Sequence, residues 1–374
     1  MDEASLPKII SVDDHVVEPP HLWSTWLPPQ FRDRGPRVER RGVASIEFAG
    51  AAAYREQFDD ASPNKADTWV YEDLVYTHKR MVAAVGYPRD EITMTPITYD
   101  DMRPGCYDPK ARLADMDVNW VEASACYPTF PRFCGQTFSE GKDKDLGLAC
   151  VKAYNDWMVE EWCGDSGGRL IPICSVPLWD AHLAAEEVRR NASRGVRAVA
   201  FSEIPAHLGL PSIHSGFWDP FFATCEETGT VVCMHIGSSS RMPSTSPDAP
   251  IAVTATLGFG GAQSSVVDFL WSGVCVCGFP RSGFAMPRAK WAGFPTFSNV
   301  SMTCGKTTKD GPEPRPSPNH RAPISTATCR CASSKTKPVS ICAPRLGSIA
   351  SCSRPTIPIA IQRGPIPVPL PRSC

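Results

Sequence analysis

An α/β fold built on a parallel sheet is predicted for residues 1–274, on three observations. Short apolar runs alternate with segments whose apolar residues recur at helical spacing. Two of the helical segments end at a glycine, Gly195 and Gly229, just before an apolar run, as a helix stop followed by a strand requires. Strand–helix–strand repetition in turn joins its strands in parallel through right-handed crossovers. A segment of this length suffices for one α/β barrel. On pattern alone, barrel and doubly wound arrangements are both open.

The first strand is expected at residues 8–12 (KIISV). Four more are expected at 119–127 (NWVEASACY), 170–176 (LIPICSV), 196–202 (VRAVAFS) and 230–236 (TVVCMHI). Helices fall between them at 145–162, 180–193 and 218–227. About a hundred residues separate the first two strands, and a connection that long carries a function or its own small structure. Its segments 31–37, 45–48 and 69–81 predict an insertion over roughly residues 30–110 that caps the site, with a turn or mobile loop at 62–67. There is no internal repeat.

The amino terminus, MDEASLPKII, lacks the basic and apolar regions of a signal peptide, and no apolar run reaches membrane-spanning length. A cytoplasmic location is expected, with no membrane partner. The chain has 16 cysteines, half of them after residue 274. The others form no CxxC pair and read as free buried thiols.

The character of the text changes near Val274. Residues 275–374 hold two acidic residues, Asp310 and Glu313, against fourteen Lys/Arg, and 16 of the 37 prolines. Prolines at 312, 314, 316 and 318, and again at 365, 367, 369 and 371, bar central strands and helices. This span is expected to be disordered, with late strands of the fold missing or garbled. Its net charge of +12 would permit a salt-dependent contact with nucleic acid. It lacks regular basic clusters and interleaved aromatics, so nucleic acid is not the expected partner. A frameshift fits better. Residues 353–365, SRPTIPIAIQRGP, can be encoded so that reading two bases on gives ATDYPHSDSTWP. The same offset turns 296–309 into VLERVDDVWEDNK and 284–296 into RDAEGKVGWVPY.

Chemistry concentrates at strand ends. Asp13 and His15 lie two apart at the end of the first strand, so their side chains share a face. A carboxylate with an imidazole suits Zn²⁺ or Mn²⁺. His235 ends the strand TVVCMH, and parallel barrel strands deliver their carboxyl ends to one face. Together the three make an incomplete metal site; singly, DxH also fits a cap and His235 a hydrogen-bonded core histidine. Glu18 lies near the motif and fits a second shell or a turn cap. Glu203 follows the strand VRAVAFS, near the expected mouth. His214 in GLPSIHS could touch substrate or hold its loop. His21, His78, His182 and His207 read as surface or helix residues, and Trp23, Trp26, Trp69 and Trp218 as core or pocket aromatics. No G-x-S-x-G elbow is present, and Gly258–Gly261 reads as a turn.

The segments SVDDHVVEPPHLW, FSEIPAHLGLPSIHSGFWDPFF, TGTVVCMHIGSSS and VDFLWSGV resemble, in order, the amidohydrolase-related family of metal-dependent hydrolases and decarboxylases. The resemblance implies a distorted (β/α)8 barrel acting on a small carboxylated aromatic or unsaturated substrate. It also implies one divalent cation, zinc or manganese, at Asp13, His15 and His235. A late aspartate, in a segment like TDYPHSD, completes that set in the family; here it occurs only in the offset reading. A homo-oligomer is compatible with the family. The competing class is a non-catalytic barrel that binds a partner through its basic tail.

Overall fold

The computed structural model describes residues 8–50, 53–246, 248–250, 253–254, 256–258, 265, 268–269, 279, 283–287, 299–305 and 328–331. Two compact units divide the chain, Met1–Ile341 and Cys342–Cys374. The second lies outside the described residues, as does the proline run 312–318.

Among the described residues, six strands run in parallel. β1 (Ile9–His15) pairs with β6 (Val121–Tyr127), and β6 with the short β7 (Leu170–Ile171). A parallel bridge from Cys174 to Val199 carries the hydrogen bonding on to β8 (Ala198–Phe201). β9 (Val231–Met234) and β10 (Gly283–Pro287) follow in the same sense. Helices return the chain between them: α3 (Gln136–Glu140) and α4 (Lys144–Trp157), then α5 (Ala181–Ser193) and α6 (Asp219–Thr228). α2 (Pro109–Val118) precedes β6. Aspartates start three of these helices: Asp108, Asp143 and Asp180 each accept first-turn backbone N–H groups, each cap contributing about 1 kcal/mol. α6 stops at Gly229, whose φ of 67° suits a residue without Cβ.

The apolar sides of β8 and β9 meet α5 and α6 in a core where Phe201 is fully buried, stacked on Phe221 at 4.8 Å and edge-on to Trp218 at 4.9 Å. The long connection after β1 carries an antiparallel sheet of its own. β2 (Arg37–Gly50), β3 (Ala53–Phe58), β4 (Lys65–Tyr71) and β5 (Leu74–Thr77) lie in the order β3-β2-β4-β5. β4 docks it. Trp69 meets Trp23, on α1 (Leu22–Trp26), at 5.0 Å and Phe130 at 5.1 Å, and Tyr71 meets Phe138 at 5.6 Å.

Three sequence expectations change here. Residues 65–67 are strand rather than turn, because Arg40 on β2 donates two hydrogen bonds to the Asp67 carboxylate and ties that end of β4 to β2. His78 is fully buried, not a surface residue: its ring meets Tyr76 and Tyr99, and Nε2 lies 3.2 Å from the Tyr99 hydroxyl. The span after residue 274 contains strands: β10, β11 (Asn299–Gly305) and β12 (Thr328–Cys331). These described strands contain one proline, Pro287, at the end of β10. The eight cysteines before residue 274 are free and buried, as expected. Burial pushes thiols such as Cys134 and Cys174 up, away from the reactive thiolate. No described helix is long and apolar enough to cross a membrane.

Candidate metal centre

Strand alternation sorts the three consecutive polar residues of β1. Asp14 turns one way and accepts hydrogen bonds from Ser11 Oγ at 2.8 Å and from Ser124 Oγ. Asp13 and His15 turn the other way, toward the carboxyl end of β9. The end of β1 is fixed by Arg112 of α2, which donates to the His15 carbonyl at 2.7 Å.

There His235 waits. One ligand atom from each of Asp13, His15 and His235 lies within 4.8 Å of the others. The two imidazole centroids are 5.0 Å apart, and His235 Nε2 is 3.2 Å from Asp13 Oδ1. β1 and β9 are four strand spacings apart, about 19 Å in a flat sheet. Two histidine side chains cannot span that distance, so the parallel sheet must curl and aim its carboxyl ends inward.

The His235 ring is set by its neighbours. Nδ1 donates to the Ile236 carbonyl at 2.6 Å, which leaves Nε2 the unprotonated nitrogen of the neutral ring. Nε2 is buried and makes no hydrogen bond; with Asp13 Oδ1 3.2 Å away, two acceptor atoms face each other unless a proton or a cation lies between them. A buried imidazole nitrogen facing a carboxylate and a second imidazole fits a divalent cation.

Two loops enclose this point. Phe133, on the loop after β6, stacks on His235 with centroids 4.1 Å apart and planes 11° from parallel, and it meets His15 edge-on at 5.6 Å. Arg132 Nη2 donates to Ser240 Oγ, and Cys134 Sγ lies 3.6 Å from the Ser238 carbonyl. A Cβ added at Gly237, whose φ is 86°, would stand 3.2 Å from Phe133 Cε2. Tyr127, the last residue of β6, places its ring 5.0 Å from His235.

Buried carboxylates sit behind both loops. Glu203 accepts from Gly237 N at 2.7 Å and Ser239 Oγ at 3.1 Å, and burial pushes its carboxyl above the ordinary range. Glu18 is fully buried, and its two oxygens accept Thr129 N at 2.9 Å and Phe130 N at 2.8 Å. Burial pushes its carboxyl up to about 7.

The candidate residues thus occupy different places. Asp13, His15 and His235 come together, Glu203 and Glu18 hold the flanking loops, and His214 stands exposed, 3.1 Å from Asp268. Phe133 and Arg132 were not anticipated from sequence. Their position directly after a strand's carboxyl end was the available signal.

The profile of a family described as amidohydrolase matches residues 15–266. That span contains His15 and His235. Among solved structures, an amidohydrolase from Mycobacterium avium subsp. paratuberculosis K-10 is 22% identical, with a TM-score of 0.52 over 76% of this chain and 74% of its own. At that identity the likeness concerns the fold alone. A 2,6-dihydroxybenzoate decarboxylase complexed with 2,6-dihydroxybenzoate is 13% identical, with a TM-score of 0.42 over 75% of this chain and 66% of its own. No curated protein matches the chain.

Proposed function

We propose, from the premise that this chain belongs to the amidohydrolase family, that it is built as a metal-dependent hydrolase or carboxy-lyase. Its substrate on this reading is a small carboxylated aromatic or unsaturated compound. The observation that carries the reading is the convergence of Asp13, His15 and His235 within 4.8 Å. These residues would hold the cation, zinc or manganese, and the curl of the parallel strands supports a distorted (β/α)8 barrel around it. When bound, such an ion supplies Lewis-acid polarisation of a substrate carbonyl or carboxylate oxygen.

The chain's own groups supply the rest. One carboxylate and two neutral imidazoles offset only half the charge of a divalent ion, so the site favours an anionic substrate group. Phe133 covers one face of His235 with an apolar ring and keeps water from it. Glu203 and Glu18 hold the two loops that carry these groups. Product analysis on a panel of carboxylated phenols, esters and lactones tests the reading. Release of CO₂ or hydrolysis in step with metal loading is expected; no turnover of any substrate by metal-loaded protein would overturn it.

We further propose that residues 275–374 are the right gene read two bases out of frame, and that the correct frame restores the late aspartate in ATDYPHSD. The switch to fourteen Lys/Arg against two acidic residues supports this. Resequencing the coding DNA across codons 265–285 is the test. A missing or extra base is expected, and a confirmed frame would sink the proposal. In its present frame the chain is expected to turn over weakly, since the late aspartate of the ligand set does not occur in it.

A further inference from the structure

We propose that Phe133 is the positioning residue of the metal centre, its ring fixing the plane of the His235 imidazole while Glu18 latches the loop that carries it. The inference rests on the metal reading of Asp13, His15 and His235.

Hydrogen bonding alone does not fix His235. Its Nδ1 bond to the Ile236 carbonyl, at 2.6 Å, chooses the tautomer, yet one bond lets the ring swing about its own axis. A flat ring 4.1 Å away and 11° from parallel removes that freedom. Such offset stacking is worth about 1 kcal/mol beyond the area it buries. Gly237 also borders Phe133: a Cβ there would press on the ring atom Cε2 at 3.2 Å. Both neighbours of the stack therefore belong to the same short turn after β9.

The loop is held by an unusual device for its location. Glu18 and the loop lie 111 and 112 residues apart in sequence, and each carboxylate oxygen takes one of two successive backbone N–H groups. Successive amides aimed at one carboxylate fix both the position and the direction of the chain leaving β6. Three residues later that chain delivers Phe133. Arg132 and Cys134, on either side of Phe133, reach across to Ser240 and Ser238, so the loop is tied at both ends of the ring. The glutamate three residues past the DxH motif thus serves the centre through Phe133 and His235, without facing the ligand set itself.

The test is zinc affinity of the full-length chain, measured by competition with a chromophoric chelator, with the His235 ring protons followed by NMR in the metal-free protein. Phe133→Leu keeps apolar bulk but no flat face. It is expected to weaken zinc binding about 10–100-fold, the range for residues that orient a ligand, and to move the His235 ring protons downfield as the stacked ring current is lost. Phe133→Tyr, which keeps the face, should retain wild-type affinity. Glu18→Gln, which can serve only one of the two amides, should weaken zinc binding as well, and it decides the matter if Phe133→Leu does not fold. A folded Phe133→Leu, or failing that a folded Glu18→Gln, that binds zinc like the wild type overturns the inference alone. A wild type with the upfield His235 signal but no zinc uptake overturns the metal reading, and the inference with it.

Discussion

Replacing Glu18 by glutamine should flatten the pH dependence of stability in a known direction. The carboxyl is fully buried, and burial raises it from 4.5 to about 7. Between those values the folded protein keeps a proton that the unfolded chain has released. Stability from this group is therefore complete below pH 4.5 and is lost as pH rises through 7, by at most about 1.4 kcal/mol per pH unit. Over the whole window the loss is about 3 kcal/mol. Glutamine does not titrate. It carries a fixed cost, because one of the amides of Thr129 and Phe130 loses its acceptor, and a buried unsatisfied N–H costs about 1–3 kcal/mol. The substituted protein should thus be the less stable at pH 4.5 and draw level with or pass the wild type by pH 8. Urea unfolding followed by tryptophan fluorescence, at half-unit intervals across that range, reads the difference directly. A difference that stays constant would mean that the two amides outweigh desolvation and keep Glu18 ionised throughout, which would refute the reasoning.

Other expectations follow from neighbouring groups. Burial holds His78 neutral, pushed down to about 3 from 6.5. Its contribution is present above pH 6.5 and lost as pH falls toward 3, so His78→Phe should move the acid-unfolding midpoint to lower pH; an unchanged midpoint would count against it. Phe201→Ala, in the core between β8, β9 and α6, should cost about 3–5 kcal/mol in a denaturant titration, and a loss under 1 kcal/mol would contradict the packing described. Gly237→Ala places a Cβ at a φ of 86° and 3.2 Å from Phe133. It should cost about 1 kcal/mol of backbone strain and weaken zinc binding, and unchanged affinity in a chelator competition would argue against the tight turn.

Elements whose periodicity is local were legible in the sequence. The strands expected at 196–202 and 230–236 appear as Ala198–Phe201 and Val231–Met234, and the helix expected at 180–193 as Ala181–Ser193. Two kinds of feature were not. The four-stranded insertion is set by long-range pairing of β2 with β3 and β4, and its charged strand RVERRGVASIEFAG gives a weak alternation. α2 was missed although Asp108-Pro109 is a capping residue followed by proline at the first helical position. Within the site, Asp13, His15 and His235 were legible as strand-end donors. Their approach to within 4.8 Å is a property of the curled sheet, and no local window contains it. The same holds for Glu18, whose partners Thr129 and Phe130 are named by the fold alone, and for the burial of His78 between Tyr76 and Tyr99.

The most direct test of the metal centre is the ion content of the full-length chain after equilibration with zinc and removal of the excess, compared with Asp13→Ala and His235→Ala. The arrangement described here predicts about one ion per wild-type chain and a loss of uptake in both variants, since a site of three protein donors cannot spare one. A wild type that retains no ion, or a His235→Ala protein that retains as much as the wild type, would contradict it.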